Sequence, residues 1–528
     1  MLSRVRTIAF IGMRPIEITV EAQISPGIAS FTIVGLPDKA VAEAKERVRS
    51  TFFHLGIGFP PKRVVINMAP ADMPKGGSHY DLPIAIAILG SMGAIDIDFF
   101  NNAITIGELS LDGRLQYVSG TLCAAMFANE KGMSIICPSD CSDEAILSGN
   151  NSIIAPDSML SLINHIKGAS IIKQPTMDQN SARQQQYNID MSDIKGQEVA
   201  KRAIMIAVSG RHNVLMIGQP GAGKSMMAHR IQTILPPLSP QEALETTCIY
   251  SIAGMMQDKR LISVPPFRDP HNSASIASMV GGGTDVKPGE ISLAHNGILF
   301  MDELPEFQKT VIEALRQPLE TNNVTIARAK EHITYPASIQ LVAAMNPCKC
   351  GHYGNRQKEC PKVPKCAMDY KNKISGPILD RFDMVIYMNS IKTEDLFNSQ
   401  KCMESSEMKK IVTSARNYQE SRYREMNPDS KRDIFGIGYD VCNTSENSSH
   451  HNGKISNKYL DTISNIDDEA RSLIQHAVSS ANLSARGCNK IIRVARTIAD
   501  MSQSTKITDS HIAEALQYRM IDPINSIK

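Results

Sequence analysis

Gly218-Gln219-Pro220-Gly221-Ala222-Gly223-Lys224-Ser225 decides the reading of this chain. The stretch fits G-x-x-x-x-G-K-[ST], the spacing of a phosphate-binding P-loop. Asn213-Val214-Leu215-Met216-Ile217 precedes it and reads as a buried strand. Met226-Met227-Ala228-His229-Arg230-Ile231 comes after it and reads as the opening turns of a helix. Strand, loop and helix in that order are the context the motif needs. The glycines let backbone N–H groups close around phosphate oxygens at the start of the helix. Lys224 is then the cation for the β- and γ-phosphates, and Ser225 a Mg²⁺ ligand. The expected contact surface is Gly218, Gln219, Pro220, Gly221, Ala222, Gly223, Lys224, Ser225 and Met226.

Working outward, Gly297-Ile298-Leu299-Phe300-Met301-Asp302-Glu303 is an apolar strand ending in two carboxylates, the Walker B pattern. Asp302 is expected to hold Mg²⁺, and Glu303 to polarise the attacking water. Leu341-Val342-Ala343-Ala344-Met345-Asn346-Pro347 is a further buried strand. Its terminal Asn346 fits a sensor of the γ-phosphate. Arg381, in Leu379-Asp380-Arg381-Phe382-Asp383, is a candidate arginine finger for a neighbouring subunit. Arg486 opens a C-terminal helix and is a candidate second sensor.

The chain has 528 residues, enough for more than one domain. Its net charge is only +2, so any DNA-binding surface has to be a local patch. The start lacks the apolar core of a signal peptide, and the most apolar stretch, 82–95, is too short to span a bilayer. With no export signal, its eleven cysteines point to reduced thiols or metal ligands in the cytosol. The first 165 residues alternate strand and helix patterns: strands at 16–21, 30–34, 63–68 and 104–109, helices at 39–55, 82–92 and 121–131. Polar residues 173–188 read as linker, so residues 166–192 separate this part from the remainder of the chain. A helix at 197–209 opens an ATPase core over 193–395, whose recurring strands argue a parallel sheet. A variable connector with an Asn/Ser/His-rich insert is expected over 396–460, then a helical region over 461–528, with helices near 467–482, 488–502 and 508–518.

Together these motifs resemble AAA+ ATPases. Asp193-Ile194-Lys195-Gly196-Gln197 resembles the segment that walls the adenine pocket in the magnesium-chelatase branch. Pro266-Phe267-Arg268-Asp269-Pro270-His271, Val280-Gly281-Gly282-Gly283 and Lys287-Pro288-Gly289-Glu290 resemble that branch's insertion. Asn272 stands where a second His often follows His271, and this departure is read as lying outside the nucleotide motifs. Asp380-Arg381-Phe382-Asp383 is close to the finger motif of MCM helicases. In the first part, Ile33-Val34-Gly35-Leu36-Pro37-Asp38, Asn67-Met68-Ala69-Pro70-Ala71-Asp72, Tyr80-Asp81-Leu82-Pro83 and Gly107-Glu108-Leu109-Ser110-Leu111-Asp112-Gly113 resemble the ComM/YifB family. The resemblance implies an α/β fold: a P-loop AAA+ core with a parallel sheet, a C-terminal helical lid, and an N-terminal α+β Lon-protease-like (S5-type) domain. It also implies ATP and Mg²⁺ as ligands, a homo-hexameric ring, and ATP-driven branch migration of DNA in recombination during natural transformation.

Proteolysis is not expected from the first domain. Lon-type enzymes use a Ser–Lys dyad. Register puts His79 rather than Ser78 at the nucleophile position, and Ser119-Gly120-Thr121-Leu122-Cys123-Ala124-Ala125 offers no lysine. Cys348, Cys350, Cys360 and Cys366 lie close together and could hold Zn²⁺, although C-x-C with C-x₅-C is not a pair of C-x₂-C knuckles. Residues 324–335 read as a hairpin. Arg328 and Lys330 at its tip are candidates for DNA phosphate contacts. A DNA motor leads. A chaperone-like ATPase that remodels a protein complex, as in magnesium chelatase, is the alternative.

Overall fold

The computed structural model describes residues 2–176, 187–256, 260–283, 286–327, 332–353, 360–362, 364–389, 402–426, 451–455, 457–481 and 483–520. Arg328, Lys330, most of the polar linker and most of the Asn/Ser/His-rich insert lie outside them. The chain divides into two compact units. The first comprises Met1–Arg183, Ala243–Ile262 and Gly282–Pro288; the second comprises Gln184–Glu242, Ser263–Gly281 and Gly289–Lys528. No helix among the described residues is long and apolar enough to cross a membrane.

The first unit is built on a seven-stranded sheet. From edge to edge it runs Ser30–Val34, Arg63–Ala69, Arg14–Ser25, Leu2–Ile11, Ala103–Thr105, Ser134–Ile136 and Ile153–Ile154. The two longest strands form an antiparallel hairpin, in register from Leu2↔Gln23 to Ile11↔Arg14. Arg63–Ala69 is antiparallel to Arg14–Ser25, and the remaining pairs are parallel. The apolar run expected to be too short for a membrane is the helix Asp81–Ser91, buried along its whole length against the hairpin. Residues 243–262 belong here for a local reason: the Gly120 amide donates to the Ser251 carbonyl at 3.0 Å, and the Ser251 hydroxyl bonds the buried Glu144.

The second unit carries a five-stranded parallel sheet in the order Phe267–Arg268, Ile298–Met301, Gln340–Met345, Val214–Gly218, Met384–Met388. Its central strands are almost wholly apolar because both faces are covered. Val214, Met216, Phe300, Val342 and Ala344 enter one core, with the helices Glu198–Gly210 and Lys224–Ile234. Leu215, Ile217, Leu299, Met301 and Leu341 enter the other. Helices Ser405–Met426, Asp468–Ala481, Ala485–Met501 and Asp509–Met520 add residues to the first core.

Part of the expected connector is therefore ordered helix. Ser405–Met426 buries Met408, Val412, Ala415, Gln419 and Tyr423, one face spaced at three and four residues. The strand Leu2–Ile11 is a further element absent from the sequence expectation, because its inward positions include Ser3 and Thr7, which blur the apolar alternation. Ser3 is satisfied inside by the Ala87 carbonyl and the Ser91 hydroxyl.

Candidate nucleotide-binding site

Three parallel strands deliver their C-terminal ends to one place. Val214–Gly218 leads into the P-loop, whose Gly221 and Gly223 take φ of 79° and 87°. A Cβ at either would meet nothing within 4 Å, so the loop borders open space, as a phosphate cradle must. Gly218 is constrained differently: a Cβ there would lie 2.6 Å from the Met388 carbonyl of the adjacent strand. Lys224 begins the next helix and its ammonium is held by the Gly218 carbonyl at 2.7 Å, the Gln219 carbonyl at 3.1 Å and Asn346 Oδ1 at 3.0 Å. Burial lowers the Lys224 pKa, and the carboxylates of Asp302 and Glu303 oppose that shift.

Ser225 Oγ donates to Asp302 Oδ2 at 2.6 Å. A hydroxyl and a carboxylate oxygen so close, beside the loop, form a hard-oxygen pair of the kind Mg²⁺ takes. Glu303 is exposed and sits at φ 51°, in the left-handed region, with its amide bonded to Asp302 Oδ1. A non-glycine residue held there is a feature that recurs at functional sites. The structure thus brings Lys224, Ser225, Asp302, Glu303 and Asn346 together.

Two residues beside this group have no role assigned from sequence. Asn272 Nδ2 donates to Glu303 Oε2 at 3.4 Å. The departure from His at this position therefore does touch the nucleotide motifs, contrary to the sequence reading. Asp269 lies 3.4 Å from His229, and its pKa is raised by burial, with His229 opposing and Asp302 adding to the rise. The signal available was the wording of 266–271, which marked a branch but not a distance to Asp302. Gln197 bonds the Ala222 carbonyl at 3.4 Å and the Asn389 carbonyl at 2.6 Å, which ties the expected adenine wall to the P-loop.

Arg381 and Arg486 lie elsewhere. Arg381 precedes Met384, which pairs with Val214 at the start of the P-loop strand. The five-residue strand separates it from its own P-loop by about 15 Å. Arg381 is buried against Glu320, while its Nε and Nη1 find no hydrogen-bond partner among the described residues. Burial lowers its pKa, and the charges of Arg486 and Arg316 add to that. Arg486 is half-exposed, with Nε 3.1 Å from Asp380 Oδ2 and Nη2 3.8 Å from Glu320. The two arginines share both acidic partners and form one cluster.

The four cysteines also converge. The sulfur atoms of Cys348, Cys350, Cys360 and Cys366 all lie within 4.8 Å of one another. The strands Asn323–Ala327 and His332–Pro336 pair antiparallel, from Asn323↔Pro336 to Ala327↔His332.

Residues 190–396 match the family described as "Magnesium chelatase, subunit ChlI". Residues 20–140 match "Subunit ChlI of Mg-chelatase", and 403–519 its C-terminal part. The protein named "Uncharacterized protein YifB" from Escherichia coli is 38% identical over 522 residues, 99% of this chain and 97% of that one. "Competence protein ComM" from Haemophilus influenzae is 36% identical over 520 residues, 97% of this chain and 96% of that one. The chain belongs to the ComM/YifB family. A distant likeness covers only part of the chain: "DNA helicase MCM8" from Gallus gallus is 26% identical over 190 residues, 36% of this chain and 19% of that one. The family and the α/β architecture together make the chain a magnesium-chelatase-type AAA+ ATPase.

Proposed function

We propose that this ATPase is a motor on DNA, a homo-hexameric ring that drives helicase or branch-migration movement in recombination. The observation that carries the ring is the distance between the two halves of its nucleotide chemistry. Lys224, Ser225, Asp302, Glu303 and Asn346 gather at one end of the sheet; Arg381 and Arg486 cluster at the other. A finger about 15 Å from its own loop serves a neighbour's loop, and a closed ring gives every loop such a neighbour. Within each site Lys224 neutralises β- and γ-phosphate charge, Ser225 and Asp302 hold Mg²⁺, Glu303 orients and polarises the water, and Asn346 reads the γ-phosphate. Bound Mg²⁺ supplies charge neutralisation on the phosphate oxygens. Arg381 leaves Glu320 for the neighbour's phosphate when subunits close.

DNA as the substrate is supported by two relatives' names, one a competence protein and one a DNA helicase, and by Arg328 and Lys330 in the sequence between the paired strands Asn323–Ala327 and His332–Pro336. Branched DNA added to the purified protein is expected to raise ATP turnover. Turnover raised by a protein partner and indifferent to any DNA would favour the remodelling alternative instead. The first unit contributes no peptidase activity in this reading: the His79 imidazole is buried and donates to the Ile8 carbonyl, and the Ser78 hydroxyl is taken by Glu108. Cleavage of an unfolded protein, lost on His79 or Ser78 substitution, would overturn that.

A further inference from the structure

Asn346 directly follows the strand Gln340–Met345, and Pro347 leads at once into the cysteine loop. Cys348 and Cys360 are buried, packed with Tyr353, Ala367 and Cys366. Cys348 and Cys350 bring their sulfurs to 3.2 Å, and no separation within the set exceeds 4.8 Å. Four thiolates at about 2.3 Å from a tetrahedral zinc stand about 3.8 Å from one another. The observed range brackets that edge length. The set is too tight to surround a multi-iron cluster, whose thiolates bind separate irons. The Tyr353 amide donates to Cys348 Sγ at 3.3 Å, the kind of contact that orients a ligating sulfur.

The surroundings tie this loop to the nucleotide motifs at three points. Asn346, two residues before Cys348, accepts from Lys224. Gly351 closes a turn onto the Cys348 carbonyl at 2.9 Å and lies against the P-loop itself, where a Cβ would stand 2.6 Å from Pro220 Cγ. Gly351 has φ of 79°, so both space and backbone demand glycine. Cys366 sits on the helix Lys365–Lys371, which puts Tyr370 into the core with Leu304 and Phe307, just after Glu303. Lys373 beyond that helix pairs with Glu306 at 3.1 Å.

We propose that Cys348, Cys350, Cys360 and Cys366 bind one structural Zn²⁺, which clamps the segment after Asn346 onto the P-loop and the Walker B turn. All four positions are filled by protein, so the ion is closed to water and does no chemistry. It holds Asn346 and Pro220 where the phosphates are received. The clamp rests on the nucleotide site proposed above; the metal site does not.

Metal analysis of freshly reduced full-length protein should find one zinc per chain. Cobalt loaded in its place should give thiolate-to-cobalt charge transfer and the visible bands of a tetrahedral site. The Cys360→Ser/Cys366→Ser chain should lose both signals. Absence of zinc together with absence of cobalt bands on reconstitution would overturn the site. Affinity for a non-hydrolysable ATP analogue is then compared in zinc-loaded, stripped and zinc-restored protein. Stripping should lower it on the order of tenfold, and restoration should recover it, which separates the clamp from misfolding. Unchanged affinity on stripping would overturn the clamp and leave the site standing. Zinc-loaded protein that binds no analogue would remove the nucleotide reading, and the clamp with it, while the zinc content stood.

Discussion

Lys224 has three N–H donors, and three protein oxygens meet them: two from the P-loop backbone and one from Asn346. The same ammonium is the only charge in the loop Gly218–Ser225, so nothing there substitutes for it. Lys224→Ala should abolish nucleotide-dependent activity; nucleotide binding and turnover at wild-type level would contradict its role. Glu303→Gln should still bind ATP but hydrolyse it roughly 10²–10⁴-fold more slowly, because an amide is a poor water-activating group. Undiminished single-turnover hydrolysis would show that another group activates the water. Among residues, the P-loop and both strand-end motifs were legible, because each is a contiguous run of residue types that phosphate chemistry requires. Asn272 and Asp269 were not. Their link to Glu303 and Asp302 is spatial, and a run of sequence carries no distance.

Elements were legible where apolar periodicity was clean. Three strands of the parallel sheet, Val214–Gly218, Ile298–Met301 and Gln340–Met345, read as apolar runs because both faces are buried, whereas Phe267–Arg268 and Met384–Met388 were not among the expected strands. Ser405–Met426 did not, since its buried face includes Ser405 and Gln419 and the rest of its surface is strongly charged. Polar residues inside elements also set pH behaviour. In the first unit the His79 imidazole donates to the strand Leu2–Ile11 at Ile8, and burial pushes its pKa down to about 4. The unfolded chain takes up this proton near pH 6.5, whereas the fold resists it until about pH 4. The stability from His79 is therefore full above about pH 6.5 and lost as pH falls toward about 4, by on the order of 3 kcal/mol. Thermal unfolding of the full chain at about pH 7 and about pH 5 should show a larger loss for the native protein than for His79→Gln. Equal losses would contradict the assignment.

For the whole molecule, the decisive feature of the proposed ring is that no single chain completes its own nucleotide site. Chains carrying Arg381→Ala and chains carrying Lys224→Ala should each be inactive alone. Mixed, they should regain part of the ATPase activity, because some interfaces then join an intact loop to an intact finger. No recovery in demonstrably mixed assemblies would place Arg381 outside the site. The proposed ring would enclose a pore, and pore contacts are tested in the assembly. Replacing Arg328 and Lys330 together with Ala should weaken DNA binding and flatten its salt dependence while basal ATPase survives. Sequence alone reached the ATPase core here, since its motifs are local, but the two-ended layout of the P-loop and the Arg381–Arg486 cluster emerges only from the parallel sheet. The sharpest test of a DNA motor is to watch a mobile four-way DNA junction in the presence of the protein. Native chain with ATP and Mg²⁺ should move the branch point, and Glu303→Gln under the same conditions should bind the junction and leave it in place. A junction that stays put with actively hydrolysing native protein, or moves equally without hydrolysis, would rule out ATP-driven branch migration by this protein.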